Sequence, residues 1–343
     1  MDSTAAACHG AAQGQRQSRA KATTQVSDFS RMSVPSPEPS VPPYRVGAQE
    51  DSSGEPAFVL HQPRDLLLPL VFSSPHSGRC YPPDLIAASR LSPDRLRRSE
   101  DAYVEELFQG VVAFGAPLLA ARFPRAYVDL NREPYELDPD LFDDALPAYA
   151  NTRSLRVLGG LGTIARVVGD AEEIYRRRLT VAEAMARIET FYWPYHAALR
   201  ELIERARQRF GFAILIDCHS MPSSSAAEGT KAGEMRPQFV LGDRFGASCA
   251  SELTRLVEQR LTGLGYAVAL NRPYAGGYIT EHYGAPMRGV HALQLEINRS
   301  MFTNEASVTL TEGFEPMRAA VMMLTASLAD YCESLQPLRV AAE

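Results

Sequence analysis

Two histidines and a glutamate stand at or near the ends of short apolar stretches of the chain: His76, His219 and Glu296. Imidazole and carboxylate groups are ligands of catalytic zinc sites, which typically use three protein groups and leave a further position for water. A glutamate beside such a site can act as a general base, because partial burial raises its pKa towards working pH. If the fold brings these side chains together, the sequence predicts a metal-assisted hydrolytic site.

These side chains can meet only if the apolar stretches are strands of one sheet. Each stretch has the length of a buried strand and leads into turn-forming residues, and the carboxyl ends of strands in open α/β sheets face one crevice. Strand-like and helix-like segments alternate from about residue 57 onwards, which predicts an α/β domain. The predicted strands are residues 66–73, 117–121, 126–130, 212–217, 238–242, 266–270 and 292–297, and the predicted helices are residues 102–113, 172–210 with a break at Pro194, 251–264 and 312–335.

Each candidate residue also has a structural interpretation. A single histidine at a strand end is more often a hydrogen-bonded structural residue, and this applies to His76 and to His219. Asp217 precedes His219 by two residues on the same side of the strand, so it either orients the imidazole ring or caps the next turn. Glu296 is flanked by apolar residues, so it is either a general base or the buried partner of an arginine such as Arg299.

Several arginines lie near predicted strand ends: Arg122, Arg125, Arg132, Arg272 and Arg299. A guanidinium group binds a carboxylate through two parallel N–H donors, so arginines around a site favour a substrate that carries a carboxylate. Residues 131–169 and 271–284 show little periodicity, and long irregular segments in a compact domain are typical of substrate loops or lids.

The composition excludes several classes of protein. The formal net charge of −6 over 343 residues argues against a nucleic-acid-binding protein, which usually has a basic face. No stretch approaches the ~18 consecutive apolar residues of a membrane span, and no apolar signal core follows a basic N-terminus, so we expect a cytoplasmic protein. The five cysteines include no C-x-x-C pair, so we expect neither a disulfide framework nor a cysteine-based zinc site.

Changes in amino-acid composition along the chain predict its domain organisation. Residues 1–55 are rich in Ala, Ser, Gln and Pro and hold few large apolar side chains, so we expect a disordered leader. Residues 56–337 are predicted to form a single α/β domain, and residues 338–343 a short tail. The sequence leaves the oligomeric state open.

Several segments of the chain resemble, in the same order, segments of the N-formylglutamate amidohydrolases. They include SSPHSGRCYP at 73–82, RAYVDLNREP at 125–134, LIDCHSMPS at 215–223 and LQLEINR at 293–299. That family is related in fold to the zinc carboxypeptidases. The resemblance therefore implies a zinc carboxypeptidase-like, phosphorylase/hydrolase-like fold, in which helices flank a central mixed, largely parallel β-sheet, and it implies one Zn²⁺ per chain.

The resemblance also implies a set of metal ligands. His76 and His219 match the two histidine ligands of the related zinc carboxypeptidases, in which a carboxylate ligand stands three residues after the first histidine. In this chain Arg79 occupies that place, so the carboxylate comes from elsewhere. The adjacent acids Glu100 and Asp101 are the candidates, and Asp101 matches the acidic position of the family better.

Further site residues follow from the resemblance. Glu296 matches the catalytic glutamate. Asn131 and Arg132 are similar to the Asn–Arg pair with which the related peptidases bind a substrate carboxylate. Three other residues are predicted to contact the substrate: Arg272, Tyr278 and Arg299.

The implied activity is zinc-dependent hydrolysis of a small-molecule substrate, N-formyl-L-glutamate, to formate and L-glutamate, as in histidine degradation. Two alternatives remain open at the level of the sequence. One is a deacylase for another N-acyl amino acid, and the other is a non-catalytic binding protein that retains the fold. We expect neither a nucleic-acid partner nor a membrane partner.

Overall fold

A sheet of seven strands forms the middle of the protein in the computed structural model, which describes residues 56–169, 171–227 and 236–335. The predicted leader, residues 1–55, and the predicted tail, residues 338–343, lie outside the described residues. In chain order the strands are β1 (Phe58–His61), β2 (Leu70–Ser74), β3 (Leu118–Ala121), β4 (Val167–Val168), β5 (Glu172–Glu173), β6 (Ala213–Met221), β7 (Phe239–Gly242), β8 (Val268–Leu270), β9 (Val290–Asn298), β10 (Thr303–Asn304) and β11 (Thr309–Leu310).

The large sheet has the strand order β1-β3-β2-β6-β9-β7-β8, and β4–β5 and β10–β11 form two small ladders. Within the large sheet the pairs β2–β3, β2–β6, β6–β9 and β7–β8 are parallel, whereas β1–β3 and β7–β9 are antiparallel. Parallel strands that are covered on both faces have near-continuous apolar sequences, and β2 and β6 are buried along their whole length. The predicted α/β class with a mixed, largely parallel central sheet is confirmed.

Helices cover both faces of this sheet. They are α1 (Pro83–Ala88), α2 (Pro93–Leu96), α3 (Val104–Phe108), α4 (Leu155–Leu158), α5 (Val181–Arg187), α6 (Trp193–Phe210), α7 (Ser251–Gly263), α8 (Tyr278–Tyr283) and α9 (Phe314–Leu335). A π-helical turn, Ile188–Tyr192, joins α5 to α6 without leaving the helical conformation, and Pro194, at the start of α6, has no backbone N–H to donate to that turn. None of the described helices is long and apolar enough to cross a membrane.

The alternation of side chains along the strands divides the core into two layers. Leu70, Phe72 and Ile216 pack on one face of the sheet against α3, α7 and α9. Val71 and Leu215 point to the opposite face, where α1, α5, α6 and α8 cover the sheet. The side chains of β6 that carry chemistry belong to this second face.

Three sequence-based assignments differ from the structure. Residues 126–130 are not a strand but a turn, since the N–H of Tyr127 donates to the carbonyl of Pro124. All five residues of this turn are buried, so its apolar composition resembles that of a strand although it pairs with no other strand. Residues 172–173 form β5 and not the start of a helix, and the predicted helix 102–113 is a short α3 followed by the 3₁₀ turn Gln109–Phe114.

Candidate active site

Three parallel strands bring the predicted reactive residues to one edge of the sheet. His76 follows the end of β2, and His219 on β6 lies opposite Glu296 on β9 in the strand register. Asp217 and Gln294 lie opposite each other two residues earlier on the same strands. Because side chains two residues apart share one face of a strand, these four side chains of β6 and β9 project from the same face.

His76, Asp101 and His219 form a buried cluster whose potential ligand atoms all lie within 4.8 Å of one another. Oδ2 of Asp101 lies 2.9 Å from Nδ1 of His219 and 3.5 Å from Nδ1 of His76. Within the described residues, the buried Nδ1 of His76 makes no hydrogen bond, and such an atom is costly unless it has a further partner. Two imidazole nitrogens and one carboxylate oxygen are a donor set that fits Zn²⁺.

A carboxylate fixes the orientation of each histidine ring. Nε2 of His76 lies 2.7 Å from Oδ1 of Asp129, and Nε2 of His219 lies 3.0 Å from Oδ2 of Asp217. Nε2 of His219 also lies 3.0 Å from Nδ2 of Asn131. A carboxylate that accepts the proton of Nε2 leaves the lone pair of Nδ1 directed to the cluster. Of the two interpretations of Asp217, the geometry favours the one in which it orients His219.

The structure distinguishes the two adjacent acids. The side chain of Glu100 accepts hydrogen bonds from the hydroxyl of Tyr81 at 2.7 Å and from Nε of Arg97 at 3.2 Å, and it takes no part in the cluster. Asp101 faces both histidines, and its Oδ1 accepts from Nη2 of Arg299 at 3.1 Å. Of the two adjacent acids, Asp101 is therefore the one that lies in the cluster.

The electrostatics of the cluster follow from its burial and its charges. Burial alone would raise the pKa of Asp101, but the hydrogen bond with His219 and the imidazole of His76, 3.5 Å away, hold that pKa well below its usual range. Burial alone would lower the pKa of His219, but the charge of Asp217 and the hydrogen bond with Asp101 raise it well above its usual range. A metal ion bound by these groups would compete with the proton of His219.

Glu296 is the buried carboxylate next to the cluster. It is 6% exposed, and burial raises its pKa to about 7, with the charges of Asp101 and Asp217 acting in the same direction and His219 opposing them. Oε1 of Glu296 accepts a hydrogen bond of 2.8 Å from Nε2 of Gln294. The guanidinium of Arg299, the partner considered from the sequence, is bound to Asp101 instead.

The cluster opens into a cavity of about 460 Å³ whose wall contains five arginines: Arg98, Arg125, Arg132, Arg156 and Arg299. Asp129 accepts from Arg125 through both Nε at 3.1 Å and Nη2 at 2.7 Å. Arg132 donates to the carbonyls of Leu161 and Asn131, while its Nη2 lies 3.7 Å from Asp129. The acids of the wall are fewer than its arginines, so the cavity attracts anions.

The remaining predicted site residues are placed differently. Asn131 lines the cavity, but its Oδ1 accepts from the N–H of Ile279 at 2.7 Å and its Nδ2 donates to Asp217 at 3.0 Å, so its amide holds protein groups. Arg272 is exposed, and the described wall of the cavity includes neither Arg272 nor Tyr278. Tyr278 instead pairs its hydroxyl with His282 at 3.2 Å.

Sequence reasoning misses two residues that touch the reactive groups. Asp129 lies within the predicted strand 126–130, where it has no visible link to His76. Gln294 precedes Glu296 by two residues, and the rule that such residues share a face could have identified it. Arg156, which lines the cavity from α4 and lies 3.8 Å from Oε2 of Glu136, has no signal in the local pattern.

Comparisons with known proteins identify the family of this chain. The sequence profile of the N-formylglutamate amidohydrolase family matches residues 68–303. The N-formylglutamate deformylase of Pseudomonas putida is 32% identical over 256 residues, which cover 71% of this chain and 84% of the relative. The crystal structure of N-formylglutamate amidohydrolase from Ralstonia eutropha is 39% identical with a TM-score of 0.76, covering 81% of this chain and 99% of that chain.

A further solved structure, of a gene product from Agrobacterium tumefaciens, is 17% identical with a TM-score of 0.51 and shares the fold. With a mixed α/β sheet and a buried His–Asp–His cluster beside a glutamate, the protein falls in the class of amide-hydrolysing enzymes. Within that class, the chain belongs to the N-formylglutamate amidohydrolase family. This confirms the family expected from the sequence.

Proposed function

We propose that the protein hydrolyses the formyl amide of N-formyl-L-glutamate and releases formate and L-glutamate. The observation that carries this proposal is the buried cluster of His76, Asp101 and His219 beside Glu296, at the base of an arginine-lined cavity. N-formylglutamate carries two carboxylates, which suits a wall with five arginines. The relatives from Pseudomonas putida and Ralstonia eutropha are named for this substrate.

His76, Asp101 and His219 would hold the metal, which we propose to be Zn²⁺. The free Nδ1 of His76 and the carboxylates behind both rings support this assignment. A zinc ion bound here would act as a Lewis acid towards the formyl carbonyl and would promote ionisation of a water molecule.

Glu296 is proposed to move the proton. Its carboxylate takes a proton from the attacking water and delivers it to the amide nitrogen as the C–N bond breaks. Burial holds its pKa at about 7, so the carboxylate gains and loses a proton at little cost near neutral pH. The position of Glu296 opposite His219 supports this role, because it lies directly beside the cluster.

The arginines are proposed to hold the substrate carboxylates. Burial lowers the pKa of the Arg132 guanidinium to about 10. Nε and Nη1 of Arg132 donate to backbone carbonyls, whereas its Nη2 makes no hydrogen bond to the described residues. Arg156 is the second candidate, because its guanidinium is only loosely paired, at 3.8 Å from Glu136. Arg299 is engaged by Asp101 and Ser220, so it supports the cluster and contributes positive charge.

The test is formate release by purified, zinc-loaded protein. We expect N-formyl-L-glutamate to be hydrolysed at least tenfold faster than N-formyl-L-glutamine, because an arginine of the cavity is left unpaired when the side-chain carboxylate is missing. N-acetyl-L-glutamate keeps both carboxylates, so it tests the preference for the formyl group. Glu296→Gln should lose about 10²- to 10⁴-fold in kcat while retaining zinc.

Three results would decide between the candidates. A preference for an acetyl or longer acyl group would show that the protein is a deacylase for another N-acyl amino acid and not a deformylase. Binding of these acids without turnover would support a non-catalytic binding protein. A Glu296→Gln variant with unchanged kcat would show that Glu296 is a structural carboxylate and not a catalytic residue.

A further inference from the structure

The side chain of Gln294 lies between the catalytic candidate Glu296 and a loop that forms one wall of the cavity. Its Oε1 accepts a hydrogen bond of 2.7 Å from the N–H of Gly277, and its Nε2 donates one of 2.8 Å to Oε1 of Glu296. Gln294 is only 4% exposed, so water does not compete strongly for these bonds. Both ends of one amide are thus used, one by the loop and one by the carboxylate.

The loop fixes which way this amide points. A backbone N–H can only donate, so the atom of Gln294 that faces Gly277 must be the carbonyl oxygen. The NH₂ group must then face Glu296, where it favours the ionised carboxylate that accepts a proton. Within the described residues, Oε2 of Glu296 makes no hydrogen bond, so it is the oxygen left to exchange a proton.

Glycine at position 277 makes this contact possible. A Cβ atom built there would lie 2.5 Å from Oδ1 of Asn131, closer than real Cβ contacts allow. The N–H of Gly277 therefore reaches Gln294 only because the residue has no side chain. Residues 273–277 line the cavity, so the same loop faces the substrate.

We propose that Gln294 is the positioning residue of Glu296, which it holds by one carboxylate oxygen and ties to the cavity wall through Gly277. It acts through Glu296, since its two hydrogen bonds go to Glu296 and Gly277 and to none of the three residues of the cluster. The inference rests on the proposed function for its kinetic assay, because it needs Glu296 to act as the proton carrier. It adds a requirement for the reaction that neither the metal cluster nor the arginines provide.

The first test is Gln294→Leu, which keeps the approximate volume and removes both hydrogen bonds. We expect kcat for N-formyl-L-glutamate to fall on the order of 10- to 100-fold, the range for loss of one hydrogen bond to a charged group, with KM and zinc content little changed. Gln238→Leu is the matched control. Gln238 also accepts a backbone N–H, from Ala267 at 3.0 Å, but does not line the cavity, so its loss should leave kcat unchanged.

A double-mutant cycle separates positioning from general loosening of the site. If Gln294 acts through Glu296, then Gln294→Leu should cost less than about twofold in the residual kcat of Glu296→Gln. An equal loss in both backgrounds would overturn the inference, as would a Gln294→Leu enzyme with wild-type kcat. Gln294→Met serves in the same cycle if the leucine variant does not fold.

Failure of the proposed function is distinguishable from failure of this inference. Wild-type protein that releases no formate would refute the proposed function alone. Crystal structures of the wild type and Gln294→Leu then test the positioning role without activity. A rotated or disordered carboxylate of Glu296 in the variant would support it, and an unchanged carboxylate would overturn it.

Discussion

Replacement of Asp129 by asparagine tests how the protein holds His76. The carboxylate lies 2.7 Å from Nε2 of His76, and both side chains are only 3% exposed, so solvent screens their interaction weakly. Asparagine keeps the shape but removes the charge that makes the imidazole a strong ligand. Removal of such a partner costs 10- to 100-fold in metal affinity, so we expect a loss of about 1.4 to 2.7 kcal/mol in zinc binding.

The same substitution affects stability by a second route. Oδ2 of Asp129 pairs with Arg125, whose side chain is 24% exposed, so the loss of the partner is only partly relieved by water. We expect the free energy of unfolding of the metal-free protein to fall by about 1 to 3 kcal/mol. Zinc affinity is measured by competition with a chromophoric chelator, and unfolding by urea with the chelator present.

Asp138→Asn is the matched control. Oδ2 of Asp138 accepts from Nε of Arg166 at 2.7 Å, and its Oδ1 accepts from the N–H two residues on, at 2.9 Å, as Oδ1 of Asp129 also does. Asp138 takes no part in the cluster, so its replacement should affect stability and leave zinc affinity unchanged. Equal zinc affinity in Asp129→Asn and the wild type would refute the reasoning.

Three further predictions follow from the described contacts. Asp101→Asn should lose zinc, whereas Glu100→Gln should keep it, as metal analysis after dialysis will show; the reverse result would make Glu100 the ligand. Arg132→Ala should raise KM for N-formyl-L-glutamate by about tenfold or more with a smaller change in kcat, and a change in kcat alone would exclude carboxylate binding. Burial lowers the pKa of His196 to about 3, so the native state keeps this ring neutral while the unfolded chain protonates it near pH 6.5. The stabilisation by the neutral His196 ring is therefore complete above pH 6.5 and declines as the pH falls towards 3, by about 2 kcal/mol between pH 6.5 and 5. Urea unfolding of the wild type and His196→Gln at these pH values measures this decline. An equal decline in both proteins would contradict the prediction.

The sequence is most informative where one local pattern determines both element and site. The apolar run of β6 ends in Asp217 and His219, so the strand, the buried face and the direction of both side chains follow from period-two alternation. β9 is predicted for the same reason, and Glu296 with it. The choice of Asp101 over Glu100 follows the family resemblance, and the contacts of Glu100 with Tyr81 supply its physical reason.

The residues that the sequence misses depend on tertiary contacts. Asp129 meets His76 across 53 positions of the chain, and its own segment is rich in apolar residues like a strand although it is a turn. The uses of Asn131 and Gln294 depend on where the loop at Gly277 lies, and a loop path has no periodic signal. Local propensity identifies elements, whereas contacts between irregular segments are set by the packed fold.

The parallel ladder between β6 and β9 allows the choice of substrate to evolve separately from the spacing of His219 and Glu296. Because His219 and Glu296 are partners in this ladder, the separation of their backbones follows the spacing of strands, about 4.8 Å. Substitutions of wall residues that bond to neither strand, such as Arg156, can therefore change which acid enters the cavity while the spacing between β6 and β9 stays the same. The product of a duplicated gene can therefore change its N-acyl amino acid substrate through the cavity wall and keep the same hydrolytic step.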